Sequence, residues 1–185
     1  MKIKLAENFR AVFYAPFYAT HALGLFKQEG IEIELIDSAS PGSGIADMLA
    51  GNIDVVWGGP LRVIKQRDQE PDSENALLAF CEVVGKDPFF VVGRQASSVF
   101  RLSDLEGKKI GVVTEVPTPW LCLQQDLRDE GVSIGSLNVN EKNSMGQNLE
   151  ALKAGELDYA QYFEPFVSQT ISAGAGQVLH AANSR

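Results

Sequence analysis

The sequence predicts an α/β protein of two lobes, each a mainly parallel sheet flanked by helices. Three observations carry that expectation. Strand-like and helix-like patterns alternate from the first residues onward. A module occurs twice: Gly30 and Gly131, which follow similar helical segments, are 101 residues apart, and Gly51 and Gly155, which precede similar strands, are 104 apart. The composition is that of a globular chain, with 185 residues, 45% of them hydrophobic and 22% charged, and a mean hydropathy of −0.04. That length suits one ordinary domain or two small lobes.

In chain order, residues 2–7 read as a strand with Ile3 and Leu5 on one face. Residues 17–28 read as a helix opened by Pro16 and closed by Gly30, with Ala19, Leu23 and Phe26 at helical spacing. Residues 31–36 alternate as a strand does, which completes a βαβ unit. A small-residue loop at 38–44 follows, then a short helix carrying Ile45, Met48 and Leu49, a stop at Gly51, and a buried strand at 53–57. Strands separated by helices imply parallel pairing with right-handed crossovers. A polar stretch at 65–75 leads into apolar strands at 76–84 and 88–93.

The second copy repeats this order. Phe26-Lys27-Gln28-Glu29-Gly30-Ile31-Glu32-Ile33 corresponds to Leu127-Arg128-Asp129-Glu130-Gly131-Val132-Ser133-Ile134, and Ala50-Gly51-Asn52-Ile53-Asp54 to Ala154-Gly155-Glu156-Leu157-Asp158. Ahead of each lies a strand, 2–7 or 109–113, then a proline-containing loop and a helix. The spacing predicts a first lobe at 1–92 and a second at 93–185, joined near 91–94.

Charge excludes some partners. The chain carries 16 Lys and Arg against 24 Asp and Glu, a formal charge of −8, which argues against nucleic acid or an anionic membrane as partner. No apolar run approaches the roughly 20 residues of a membrane span, and charge enters too early for the apolar region of a secretory leader. The chain as given therefore reads as soluble: either cytoplasmic, or exported with its leader removed. Cys81 and Cys122 form no C-x-x-C pair and read as two buried thiols. His21 and His180 have no second ligand at metal spacing, and no dinucleotide or Walker glycine pattern follows a strand. Residues 131–135 match G-x-S-x-G but lie where a helix gives way to a strand, the reverse of a nucleophile elbow. Residues 103–106 read as a capping box. No catalytic residue, metal or cofactor is expected.

Two lobes of this type enclose a cleft, and ligands of open parallel sheets lie beyond the carboxyl ends of the strands. The loops to inspect are 8–16, 38–44 and 57–60 in the first lobe, and 114–119, 140–145 and 162–165 in the second. The first is rich in aromatic residues, Phe13 and Tyr14 among them, and Trp57 and Trp120 stand at two further loops. Such residues either pack the core or line a slot for a flat ligand. Ser38, Ser40 and Ser43 offer hydroxyls, and Gly58 and Gly59 allow close backbone approach. Arg62 suits a carboxylate, or else lies solvated at the surface. Thr114 and Glu115 are placed to face the cleft, and Thr118 suits an N-cap with Pro119 at the first helical position. Glu164, at a strand end amid aromatics, is either a carboxylate for a ligand amine or a cap for the following helix.

These residues resemble a family. The run 13–19, the run 24–35, residues 50–54, residues 102–111 and residues 152–158, in that order, are similar to the NMT1/THI5-like type 2 periplasmic substrate-binding proteins. The resemblance spans nearly the whole chain, and members usually continue well past the equivalent of Arg185. It implies the solute-binding component of an ABC importer. The partners would be a small flat or anionic molecule, such as a thiamin-pyrimidine precursor or a sulfonate, and transiently an ABC permease. The location would be periplasmic, or extracellular and membrane-tethered. It also leaves an alternative, a soluble enzyme on the same fold: a pyrimidine-precursor synthase, decarboxylase or dehydratase. The enzyme branch carries a cysteine cluster and a lysine–histidine pair after the third strand, where this chain reads Gly58-Gly59-Pro60-Leu61-Arg62.

Overall fold

A computed structural model describes residues 1–37 and 42–184; Ser38 and Ser40 lie outside the described residues. The chain divides into two units, Met1–Gly85 and Lys86–Arg185.

The first unit holds β1 (Lys2–Glu7), β2 (Glu32–Asp37) and β3 (Val55–Val56) in the order β2-β1-β3. Both pairings are parallel, with Leu5 opposite Leu35 on one side and Val55 on the other. Helices α1 (Ala15–Ala22), α2 (Leu25–Gln28), α3 (Ser43–Leu49) and α4 (Leu61–Gln69) connect and follow the strands. The helix expected at 17–28 is thus two helices. Gly24 takes a left-handed conformation, φ 69°, which ends α1 and redirects the chain. Conversely, α4 runs into the stretch expected to be merely polar, because Leu, Arg, Lys and Gln are good helix formers.

The strand expected at 76–84 is not formed. An apolar run becomes a strand only beside a partner edge, and here the backbone is bonded to α4 instead: Leu77 N–H donates to Gln66 Oε1 at 3.2 Å and Leu77 O accepts from Arg67 Nε at 3.3 Å. Leu78 and Phe80 are consequently exposed. Cys81 is exposed too, not the buried thiol expected, and Cys122 is half-buried; both are free.

The second unit holds β4 (Phe90–Gly93), β5 (Lys109–Gly111), β6 (Asn138–Asn140), β7 (Tyr159–Tyr162) and β8 (Gln177–Ala181) in the order β6-β5-β7-β4-β8. β5 runs parallel to β6 and β7, whereas β4 is antiparallel to β7 and β8. β4 was expected to close the first lobe. Its hydrogen bonds to β7 and β8 place it in the second unit's sheet, and the division falls at Gly85 and not at 92. Around this sheet lie α5 (Thr118–Asp129), α6 (Met145–Ala154) and α7 (Phe166–Ser172). Val91, Leu102, Leu105, Ile110, Val112, Leu123, Leu127 and Val132 form its buried core. The reciprocal cap expected at 103–106 sits two residues earlier, where Asp104 Oδ2 accepts the Arg101 N–H at 3.0 Å. Among the described residues no helix is long and apolar enough to cross a membrane.

The internal repeat has a structural basis. Gly30 and Gly131 are both left-handed, at φ 72° and 76°, as are Gly51 and Gly155 at 76° and 79°. After each helix the chain turns by the same bond, Ile31 N–H to Phe26 O at 2.9 Å and Val132 N–H to Leu127 O at 2.8 Å. The repeated aspartate is a lock in both copies. Asp54 Oδ2 accepts the Lys4 N–H at 2.8 Å while its own N–H donates to Lys4 O at 3.1 Å. Asp158 Oδ2 accepts the Lys109 N–H at 3.0 Å while its N–H donates to Lys109 O at 2.9 Å. One residue thereby registers the third strand of each copy against the first, and leaves the strand exits at a common end.

Candidate functional site

In the first unit β1 ends in two buried polar residues, Glu7 and Asn8, each 5% exposed. Burial of a carboxylate demands partners, and Glu7 has them: Oε1 accepts from Arg10 Nη2 at 3.0 Å and Nε at 3.3 Å, and Oε2 accepts from the Tyr18 hydroxyl at 2.9 Å. Asn8 Oδ1 accepts the N–H of Gly42 at 2.6 Å. This fixes the orientation of the amide, and Asn8 Nδ2 is left buried with no acceptor among the described residues.

Gly42 is left-handed, φ 95°, and its bare Cα gives room to Arg62. A Cβ there would lie 2.7 Å from Arg62 Nη1, whereas one on Gly58 would meet the Arg62 Cδ at an ordinary 3.6 Å. Arg62, from the first turn of α4, therefore lies half-buried over two glycines and is not a solvated surface arginine. It has no carboxylate partner among the described residues. Burial lowers its pKa from the ordinary arginine value, opposed by nearby Tyr14; it stays a cation, held at a cost.

The aromatic residues form one cluster. Trp57 stacks on Tyr14 with centroids 5.2 Å apart and on Phe17 at 4.3 Å, and meets Tyr18 edge-on at 5.7 Å. Phe13 packs edge-on against Tyr14 at 4.6 Å. Tyr14 and Trp57 are buried and stack on each other, while Phe13 and Phe17 form the half-buried margin of the cluster. Burial, then Tyr18, pushes the Tyr14 hydroxyl up to about 12. Trp57 Nε1 is buried with no acceptor among the described residues. Gly58 and Gly59 follow it, exposed, and Ser43 begins α3. Asn8, Glu7 and Arg10 were not read from the sequence. The signal available was a polar pair closing an otherwise apolar-faced strand, at the carboxyl end where ligands lie.

In the second unit the corresponding polar groups are satisfied internally. Glu115 Oε1 accepts the Met145 N–H at the start of α6 at 2.8 Å, and Oε2 the Thr114 N–H at 3.2 Å. The Thr114 hydroxyl donates to Asn143 O at 2.9 Å, and Trp120 Nε1 to Glu141 Oε1 at 2.8 Å. Thr118 is the first residue of α5, not its N-cap, and makes no capping bond. Pro117 before it is already helical, at φ −76° and ψ −28°, and a capping side chain needs an extended backbone at its own position. Glu164 Oε2 accepts the Ser168 N–H at 3.0 Å, the cap alternative to a ligand role. Glu115 and Asn8 act alike without being aligned positions: each lies past the first strand of its copy and accepts an N–H at or beside the start of the helix that follows the second strand. No group of three His, Cys, Asp or Glu is placed to hold a metal among the described residues.

The family model described as NMT1/THI5 like matches residues 12–179. The chain belongs to the NMT1/THI5-like family. It is similar to YtlA of Bacillus subtilis (strain 168), named as a candidate binding protein, at 22% identity over 96% of this chain and 53% of that one. Among solved structures it resembles the alkanesulfonate-binding protein SsuA from Xanthomonas axonopodis pv. citri, determined with MOPS bound, with a TM-score of 0.66 and 18% identity over 98% of this chain and 61% of that one. It resembles the periplasmic aliphatic sulphonate binding protein SsuA from Escherichia coli with a TM-score of 0.71 and 14% identity over 96% of this chain and 59% of that one. PhnD1 from Prochlorococcus marinus (MIT 9301), determined with methylphosphonate, gives a TM-score of 0.68 and 14% identity over 97% of this chain and 71% of that one. The fold is that of the type 2 periplasmic binding proteins. The chain spans about half the length of the curated relative it matches.

Proposed function

We propose that this NMT1/THI5-like chain is the solute-binding component of an ABC importer, and that it binds a small molecule at the strand exits without changing it chemically. The family match over residues 12–179 carries this reading, and the relatives named above are binding proteins. The ligand-facing part of the first unit comprises Phe13, Ser43, Gly58, Gly59 and Arg62, with the buried Tyr14 and Trp57 stacked behind them. In this reading the left-handed Gly42 and the open Gly58 admit the solute close to the backbone, the aromatic cluster gives a stiff apolar wall, and Arg62 supplies charge. This reading is one of recognition and not bond-making. Glu7, the carboxylate buried there, is already held by three donors from Arg10 and Tyr18, which suits a strut more than a general base. The receptor works on the outer side of the cytoplasmic membrane and hands its solute to a permease.

A thermal-shift panel of small organic solutes on the intact protein tests this. A true ligand at a hundred times its dissociation constant stabilises by about 2.7 kcal/mol, a clear saturable rise in Tm. NMR of the recovered solute should show it unchanged. Turnover of the solute would overturn the binding reading in favour of an enzyme.

A further inference from the structure

Resting on that reading, we infer that Glu7 is a positioning residue: through the Tyr18 hydroxyl it holds the edge of Trp57, and so sets the aromatic wall that the first unit offers a solute. Each link is a direct contact. Glu7 Oε2 accepts from the Tyr18 hydroxyl at 2.9 Å, and the Tyr18 ring meets Trp57 edge-on at 5.7 Å, with 83° between the planes. Trp57 in turn stacks on Tyr14 and Phe17. Arg10 closes the group on its exposed side. It pairs with Glu7 Oε1 at 3.0 Å, reaches Asp37 at 3.8 Å, and holds its guanidinium carbon 5.7 Å from the centre of the Tyr18 ring.

Two observations assign the carboxylate to this wall and not to the fold alone. The first comes from the repeat. Asp54 binds Lys4 and Asp158 binds Lys109 in the same way, which aligns the first strands of the two copies. Glu7, three residues past Lys4, then matches Val112, three past Lys109. Val112 is 1% exposed and belongs to the apolar core. This position therefore accepts a valine in the other copy, and a carboxylate is the costlier occupant because burial penalises its charge. The second observation is that α1 has no buried residue. Its roll is set by half-buried side chains, Phe17 and Tyr18 among them, and apolar contact is non-directional. A hydrogen bond to a carboxylate is directional and roughly twice as strong as one between neutral groups, so it fixes that roll at Tyr18. Burial, and then the bond to Glu7, pushes the Tyr18 hydroxyl up from its ordinary value, which keeps it a donor.

Acrylamide quenching of Trp57 in a Trp120→Phe protein tests the link without a ligand. Isothermal titration with the solute that gives the largest thermal shift tests its consequence. Glu7→Leu, which fills the space and accepts no bond, should raise the quenching of Trp57 and shift its emission to the red. Tyr18→Phe, which keeps the ring and removes the hydroxyl, should do the same, and the double variant no more than either alone, because both cut one link. Glu7→Gln should recover most of the loss, its amide donating to the Tyr18 oxygen and its carbonyl accepting from Arg10. Glu7→Leu and Tyr18→Phe should each weaken the solute by about 2- to 10-fold, the worth of one aromatic contact. A lower urea midpoint with unmoved Trp57 emission is the mark of a merely structural role and overturns the inference. Unchanged quenching in Tyr18→Phe, additive effects in the double variant, or unchanged affinity in either single variant also overturns it, while leaving the receptor reading intact. Tyr18→Phe decides the point alone if Glu7→Leu does not fold. If no solute binds, the receptor reading is overturned, and quenching of the ligand-free protein still decides whether Glu7 holds Trp57.

Discussion

Replacing Gly42 by alanine perturbs the backbone and the site at one atom, and the two effects separate. At φ 95° an L residue is strained by roughly 1–2 kcal/mol. The added Cβ would also fall 2.7 Å from Arg62 Nη1, closer than any carbon and nitrogen tolerate. The guanidinium is the far end of a flexible side chain, so it swings away at little energetic cost, and the affinity for a solute of the proposed site falls with it. The expected outcome is a loss of about 1–2 kcal/mol in stability, or a urea midpoint lower by about 0.5–1 M at the slopes usual for small proteins. In an Arg62→Ala background the stability loss persists, because the strain belongs to the backbone, while the effect on affinity vanishes. Gly58→Ala is the control. Its Cβ meets the Arg62 Cδ at 3.6 Å, and its φ lies outside the left-handed range, so stability should stay within about 0.5 kcal/mol of wild type. Trp57 fluorescence in a Trp120→Phe background reports on the first unit alone, since the chain has 2 tryptophans and each unit holds one. A Gly42→Ala protein that melts at or above the wild-type midpoint would refute the left-handed assignment. A Gly58→Ala protein as weakened in affinity as Gly42→Ala would refute the packing of Arg62.

The Tyr14 hydroxyl, pushed from 10 to about 12 mainly by burial, stays neutral in the folded state. Its contribution of roughly 2–3 kcal/mol is whole below pH 10 and is lost as the pH climbs from 10 to 12; Tyr14→Phe should flatten part of that decline in urea midpoints, and identical pH slopes would count against it. Asp158→Ala and Asp54→Ala each remove a charged acceptor from a strand N–H, and each should cost about 1–2 kcal/mol by thermal denaturation, the half-buried Asp158 more than the exposed Asp54; no change in either would break the proposed lock. Glu115→Ala should lower stability by about 0.5–1 kcal/mol and leave the α6 cap formed by Ser144 and Gln147 in place. Loss of the helix signal beyond that would show Glu115 to be its main support.

The repeat was legible because its signals are local: a left-handed glycine after a helix and an aspartate beside the third strand are read within a few residues. β1 and β2 were legible from alternation, since their pairing partners lie in the same unit. What the sequence hid depended on partners. β4 has the composition of a strand wherever it goes, and only its bonds to β7 and β8 assign it to the second sheet. The run at 76–84 looks like a strand yet bonds to the side chains of α4, a competition that periodicity does not register. Gly24 inside an apolar helical pattern was an available warning, because glycine there costs about 1 kcal/mol relative to alanine. Within the candidate site the residue types were legible but their satisfaction was not. Trp57, at the end of a strand, and Trp120, at the start of a helix, both stand at loops expected to face a ligand. The structure gives one an acceptor and leaves the other without. Asn8 went unseen because its role lies in Gly42, a contact across 34 residues.

The most direct test of the central claim is an isothermal titration of the intact protein with the solute that gives the largest thermal shift, followed by NMR of the recovered solute. The account predicts saturable binding of one solute per chain, with the solute returned unchanged. No saturable binding by any solute of the panel, or a chemically altered solute on recovery, would contradict it.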